Sequence, residues 1–253
     1  MCPDRHIRQS SVVWEPAPSE LHLLNDEVHV WRADLNAPPD KLSKLLPVLD
    51  GTERSRAERF VFDKDRTRFI VARSVLRLLA ARYLDGSPEE VEFTYGPQGK
   101  PALRQHSHLH FNLAHSDGLA LYAFALDREL GIDLEGERRF SNTENREIVQ
   151  THFSKKEQNE FNSLDRRLQD EAFYLAWTRK EAYLKARGEG LQIPLQSFDV
   201  SLTPEGPVTL RSDDAARWEL HSFCPEPDFV AALVVERGNC RLRYWDWPRT
   251  FKI

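Results

Sequence analysis

Two long stretches of helical periodicity, each led by a strand and short helical pieces and trailed by antiparallel strands, restrict what this chain can fold into more than any other feature. In the first, over residues 65–84, Phe69, Ala72, Leu76, Leu79 and Tyr83 recur at steps of three and four and share one helix face. Asp85-Gly86 closes it. The second runs over 168–187 and stops at Gly188 and Gly190. Ahead of the first lie an irregular lead-in with Pro3, Pro16 and Pro18, a strand through Val28 and Val30 to Leu35, and helical pieces over 41–46 and 52–60. Strands over 91–95, 109–114 and 119–126 follow it. Ahead of the second lie a strand over 130–135 and a capping box, Ser154 with Glu157. Strands over 198–202, 218–223, 229–235 and 242–245 follow. The same order therefore occurs twice. It predicts an α+β fold, a duplicated single-chain pseudo-dimer of two similar halves, 1–127 and 128–253, each with a small antiparallel sheet and a long helix. Residue identity between the halves is weak; the order of elements carries the reading.

Composition narrows the classes. With 40% hydrophobic residues over 253 positions, the chain can bury a large core. A net charge of −5 gives no global basic excess for nucleic acid, and no stretch approaches the roughly 18 apolar residues of a membrane helix. Cys2, Cys224 and Cys240 are odd in number and far apart, which reads as reduced thiols. The first residues lack the apolar run of a signal peptide. A soluble, cytoplasmic protein is expected.

Two segments carry chemistry. One is Gly131-Ile132-Asp133-Leu134-Glu135; in a strand, Asp133 and Glu135 share a face while Ile132 and Leu134 point to the core. Two carboxylates on one side repel unless something positive lies between them. The other is Trp177-Thr178-Arg179-Lys180-Glu181-Ala182-Tyr183-Leu184-Lys185, in which Trp177, Glu181 and Lys185 share a helix face. Singly, each pattern is ordinary surface decoration. Together, about forty residues apart, they resemble the signature of the Sfp-type 4′-phosphopantetheinyl transferases. Gly99-Lys100-Pro101-Ala102-Leu103 is similar to that family's Gly-Lys-Pro loop, and Phe111-Asn112-Leu113-Ala114-His115-Ser116 to its Asn-Leu-Ser-His-Ser segment, with Ala114 where serine is usual. The arginine-rich stretch 66–77 is similar too.

The resemblance implies attack by a carrier-protein serine on the diphosphate of coenzyme A, with release of 3′,5′-adenosine bisphosphate. Such chemistry asks for positioning and charge neutralisation. Mg²⁺ suits it, held by Asp133, Glu135 and Glu181. Glu181, directly or through water, is the implied base. Lys185 reaches the transferring phosphate, with Lys180 a weaker contact, and Trp177 anchors the helix in the core. Arg68, Lys100 and His115 are implied around the 3′-phosphate, with the remaining arginines of that helix mostly solvated. A hydroxyl lost at Ala114 implies weaker coenzyme A binding. The substrate would lie between the halves, the first binding the 3′-phosphate and the second holding metal and catalytic groups. The partner is an apo acyl or peptidyl carrier protein of fatty-acid, polyketide or nonribosomal-peptide type. Lys155, Lys156 and the polar segment 138–152 are candidates for docking it, and the segment reads equally as a mobile loop. A monomer is expected.

Two rival readings stand beside this one. His106, His108 and His110 alternate and could bind zinc in a hydrolase, although a solvated strand edge explains them better. A non-catalytic carrier-binding module predicts damaged site residues, and all are present. The chain lacks Gly-x-Ser-x-Gly, P-loop and Gly-x-Gly-x-x-Gly signatures.

Overall fold

The computed structural model describes residues 12–136, 142–203 and 206–248. The first half runs β1 (Glu15–Pro16), β2 (Glu27–Asp34), α1 (Pro39–Leu45), α2 (Gly51–Glu58), the long α3 (Asp63–Tyr83), β3 (Phe93–Tyr95), β4 (Pro101–Leu103), β5 (Leu109–Ser116) and β6 (Leu119–Leu126). The second runs β7 (Leu130–Gly136), α4 (Asn142–His152), α5 (Lys155–Ser163), the long α6 (Arg166–Arg187), β8 (Asp199–Val200), β9 (Leu210–Arg211), β10 (Trp218–Phe223), β11 (Phe229–Glu236) and β12 (Arg241–Asp246). Helix α4 lies in the polar segment 138–152, which the sequence reads as a docking candidate or equally as a mobile loop; residues 138–141 of that segment fall outside the described residues. Among the described residues no helix is long and apolar enough to cross a membrane.

The halves repeat their pairing as well as their order. In the first, β2 pairs with β6 and β6 with β5; in the second, β7 pairs with β11 and β11 with β10, all antiparallel. The two sheets face each other across an apolar layer that includes Val28, Val30, Leu121, Ile132, Leu134 and Leu233. Helix α3 covers the outer face of the first sheet and α6 that of the second. The result is four layers: helix, sheet, sheet, helix. One strand ignores the division at residues 127 and 128. β12, from the end of the chain, pairs in parallel with β2 and with β1, completing the first half's sheet in the order β1-β12-β2-β6-β5.

Each half is also bolted the same way. Asp50 and Glu53 form the capping box of α2, as Ser154 and Glu157 do for α5. Both glutamates are buried and take a cation from the long helix. Arg77 of α3 donates to Glu53 at 2.5 Å and to the carbonyls of Pro88 and Val91. Lys180 of α6 lies 2.9 Å from Glu157 and donates to the carbonyls of Leu195 and Phe198. Arg77 is therefore a core residue; of its neighbours on α3, Arg73 also pairs with Glu53, while Arg66 is exposed.

Candidate functional site

Strand β7 and helix α6 touch backbone to backbone, because Gly131 has no side chain. A Cβ there would fall 2.2 Å from the Ala186 nitrogen and 2.3 Å from the Ala182 oxygen. This contact sets Asp133 under Lys185, whose Nζ lies 2.7 Å from Asp133 Oδ1 and 3.2 Å from the Ile132 oxygen. The second carboxylate oxygen, Asp133 Oδ2, is buried without a hydrogen-bond donor. Glu135, on the same face, is buried too, with the Ser116 hydroxyl 3.4 Å from its Oε2.

The free edge of β7 meets β5 through side chains rather than a ladder. The Ile132 N–H donates to Asn112 Oδ1 at 2.9 Å and the Gly136 N–H to Ser116 Oγ at 3.1 Å. Two edge amides that would otherwise stand unpaired are thereby satisfied. Asn112 and Ser116, quoted in sequence only as flanks of His115, stitch the halves together. Ala114 lies between them and faces the apolar layer between the sheets.

Above this seam a cavity of about 260 Å³ opens between the β3–β4 turn and α6, lined by Gly99, Lys100, Asn112, Glu181 and Lys185 among others. A second cavity, of about 570 Å³, shares Lys100, Pro101 and Gly188 with it and extends to His110, Glu129 and Arg217.

An ammonium has three protons to donate, and counting their acceptors sorts the lysines. Lys180 uses all three, on Leu195 O, Phe198 O and Glu157, and is fully buried. The expectation that it contacts phosphate is corrected: its acceptors lie behind α6. Lys100 also uses all three, on Glu129 Oε2 at 2.8 Å, Leu130 O at 3.1 Å and Ala186 O at 3.3 Å. Lys185 makes two such bonds.

The expected cluster of Arg68, Lys100 and His115 is divided. Lys100 sits at the start of β7, by Leu130. The Arg68 guanidinium lies against Gly118, where φ is +95° and a Cβ would come within 2.8 Å of Nη2 and 2.7 Å of Asn36 Nδ2. Gly118 follows Ser116, which is bonded to Gly136 at the far end of β7. Six residues of strand, roughly 20 Å, separate the two positions, so one phosphate group does not span them. His115, exposed near the end of β5, stands at the Arg68 end. The Arg68 Nε is buried and unbonded.

Trp177 packs half-buried on the second core, stacked on Phe173 at 5.9 Å. His106 and His108 lie in the approach to β5 rather than in a strand; His108 pairs with Asp127, and His110 lies 3.3 Å from Glu129. Lys155 bonds Gln158 and Lys156 pairs with Asp199.

Among the described residues, no three His, Cys, Asp or Glu side chains are gathered to hold a metal ion. Asp133 and Glu135 nonetheless suit a hard cation. They form an all-oxygen pair on one face, one oxygen of which is buried without a hydrogen-bond partner. Glu181 lines the cavity but is not grouped with them as it stands.

Known proteins resemble the chain over most of its length. A family model described as the 4′-phosphopantetheinyl transferase superfamily matches residues 129–234, and one described as 4′-phosphopantetheinyl transferase, N-terminal, matches 34–125. The 4′-phosphopantetheinyl transferase HetI of Nostoc sp. is 38% identical over 92% of this chain and 98% of its own. The 4′-phosphopantetheinyl transferase Sfp of Bacillus subtilis is 29% identical over 77% of this chain and 81% of its own. The human L-aminoadipate-semialdehyde dehydrogenase-phosphopantetheinyl transferase is 29% identical over 80% and 73%. The chain belongs to the 4′-phosphopantetheinyl transferase superfamily. It is an enzyme, a phosphopantetheinyl transferase, and the α+β, duplicated architecture expected from sequence is the one it adopts.

Proposed function

We propose that this transferase moves the 4′-phosphopantetheine arm of coenzyme A onto a serine of an apo acyl or peptidyl carrier protein, with Mg²⁺, and releases 3′,5′-adenosine bisphosphate. The observation that carries the reading is the buried oxygen of Asp133 that accepts no hydrogen bond, beside the Lys185 ammonium at a cleft between the halves. The serine oxygen forms a bond to the pantetheine-bearing phosphorus. The bond from that phosphorus to the bridging oxygen breaks, and its electron pair leaves with the adenosine bisphosphate. Two of the three Lys185 protons are used within the protein, which leaves one to donate to a phosphate oxygen. Lys185 also fixes Asp133 from above. Glu181, one helical turn before Lys185 and on the wall of the cavity, takes the serine proton directly or through a water. Asp133 and Glu135, with Glu181, would hold Mg²⁺, which when bound offsets diphosphate charge.

Arg68 and His115, on the first half, are assigned to the 3′-phosphate. Lys100 is assigned to the cavity wall. Family membership displaces the zinc hydrolase reading, and the intact Asp133, Glu135, Glu181 and Lys185 disfavour a non-catalytic module. One chain supplies both walls of the cleft, which supports a monomer, and a cytoplasmic location is proposed with it. The test is mass spectrometry of an apo carrier protein incubated with the enzyme, coenzyme A and Mg²⁺. A gain of one phosphopantetheine is expected, abolished by chelation; no gain across acyl, polyketide and peptidyl carriers would refute the reading.

A further inference from the structure

Glu129 plays no part in the chemistry above, yet it stands where the halves join. Its main chain is pinned: its N–H donates to a Glu236 carboxylate oxygen at 2.8 Å, and its carbonyl accepts from the Glu236 N–H at 3.0 Å. From this fixed base its carboxylate reaches Lys100 Nζ at 2.8 Å and His110 Nδ1 at 3.3 Å. The His110 hydrogen bond and then, against partial burial, Lys100 hold its carboxyl down at about 2, so it is charged throughout the working range.

Lys100 carries that anchorage onward. Its remaining protons go to Leu130 O at the start of β7 and Ala186 O in the last turn of α6, where a cation suits the helix end. Its stem lies near Gly188; a Cβ there would be 3.6 Å from Lys100 Cδ. The turn behind it is closed on itself: Gly96 N–H donates to Lys100 O and Gly99 N–H to Gly96 O, both at 2.9 Å, with Gly99 at a φ of +80° that only glycine adopts readily. The turn thus moves as a unit, and among the bonds described above Lys100 alone ties it to α6. Lys100 lines both cavities and forms part of the wall between them.

We propose that Glu129 is a positioning residue for the transfer reaction: acting through Lys100, it fastens the turn over residues 96–100 to the C-terminal end of α6 and so sets the width of the cavity that admits coenzyme A. The proposal rests on the transfer reading for its ligand but not for the latch itself. A phosphate-binding role for Lys100 does not compete, since its three protons are already taken.

Two measurements test it, on E129A, E129D, K100M and E129A/K100M. Amide hydrogen exchange on the unliganded protein reads the latch: Gly96 and Gly99 should exchange about tenfold faster in E129A. Steady-state transfer reads its consequence: KM for coenzyme A should rise about fivefold in E129A with kcat within about twofold. E129D should recover part of the KM, and E129A/K100M should be no worse than either single variant, because both remove the same tie. Unchanged exchange at Gly96 and Gly99 would overturn the proposal. So would single-variant effects that multiply in the double variant, or a fall in kcat at constant KM, the sign of a smaller folded fraction. A wild-type protein that transfers nothing, while E129A still loosens the turn, would count against the transfer reading and leave the latch standing.

Discussion

Lys100, Lys180 and Lys185 carry the same ammonium group, and the number of acceptors the fold brings to each decides what it does. Lys180 shows the cost of full enclosure. Burial outweighs the partner on both sides of its ion pair, pushing the Lys180 ammonium down and the Glu157 carboxyl up. Such a pair adds little net stability but is costly to break on one side. K180M should therefore lose about 3–5 kcal/mol in urea unfolding by leaving Glu157 buried alone, and K180M/E157L should regain most of it. Equal losses in both variants would show that the pair itself stabilises the fold. Asp133 answers the opposite test. D133A should lower the transfer rate by about 10²-fold or more yet leave the urea midpoint close to wild type, because its unbonded oxygen already costs the folded state. A normal rate in Mg²⁺ would remove its role. Sequence brought Lys180 and Lys185 into view together and ranked Lys180 only as the weaker phosphate contact. Glu157 and the carbonyls of Leu195 and Phe198, which claim Lys180, converge on it only in three dimensions.

Between elements, the duplication shows where the second half departs from the first. Matching the two ladders from their ends makes Trp31 the counterpart of Asp133 and Ala33 that of Glu135. Trp31 and Ala33 are core residues under α3. With Arg77 matched to Lys180, the buried Leu78 stands where Glu181 does. One half closes its helix–sheet layer with apolar side chains; the other spends the same positions on carboxylates, a local breach of burial rules that marks function. His29 likewise matches Gly131: its ring reaches the Tyr83 hydroxyl at 2.9 Å, whereas Gly131 brings α6 into backbone contact. G131A should cost about 3 kcal/mol and lower transfer by pushing Lys185 off Asp133; wild-type unfolding and turnover would sink that account. Periodicity made both long helices legible, and alternation put Asp133 and Glu135 on one face. The α4 region, apolar only at Ile148 and Val149, reads from its polarity as a docking segment or loop rather than as a helix.

For the molecule as a whole, the strand that matters most is the one out of order. The division at residues 127 and 128 describes the repeat, but β12 belongs to the first sheet, with Trp245 and Trp247 in the first core. Nothing in a six-residue alternating stretch says which edge it will join; that depends on a partner more than two hundred residues away. A fragment of residues 1–127 should therefore fail to unfold cooperatively by circular dichroism, its β2 edge bare and its core short of two tryptophans. A cooperative transition in that fragment would show that the first half suffices.

On the ribosome this arrangement forbids finishing the first half first. Residues 12–126 leave the exit tunnel well before their last neighbour has been made, so an open strand edge waits through the synthesis of the entire second half. A stop codon or a protease cut just ahead of β12 would spare every group assigned to catalysis, and still cost the cell the protein.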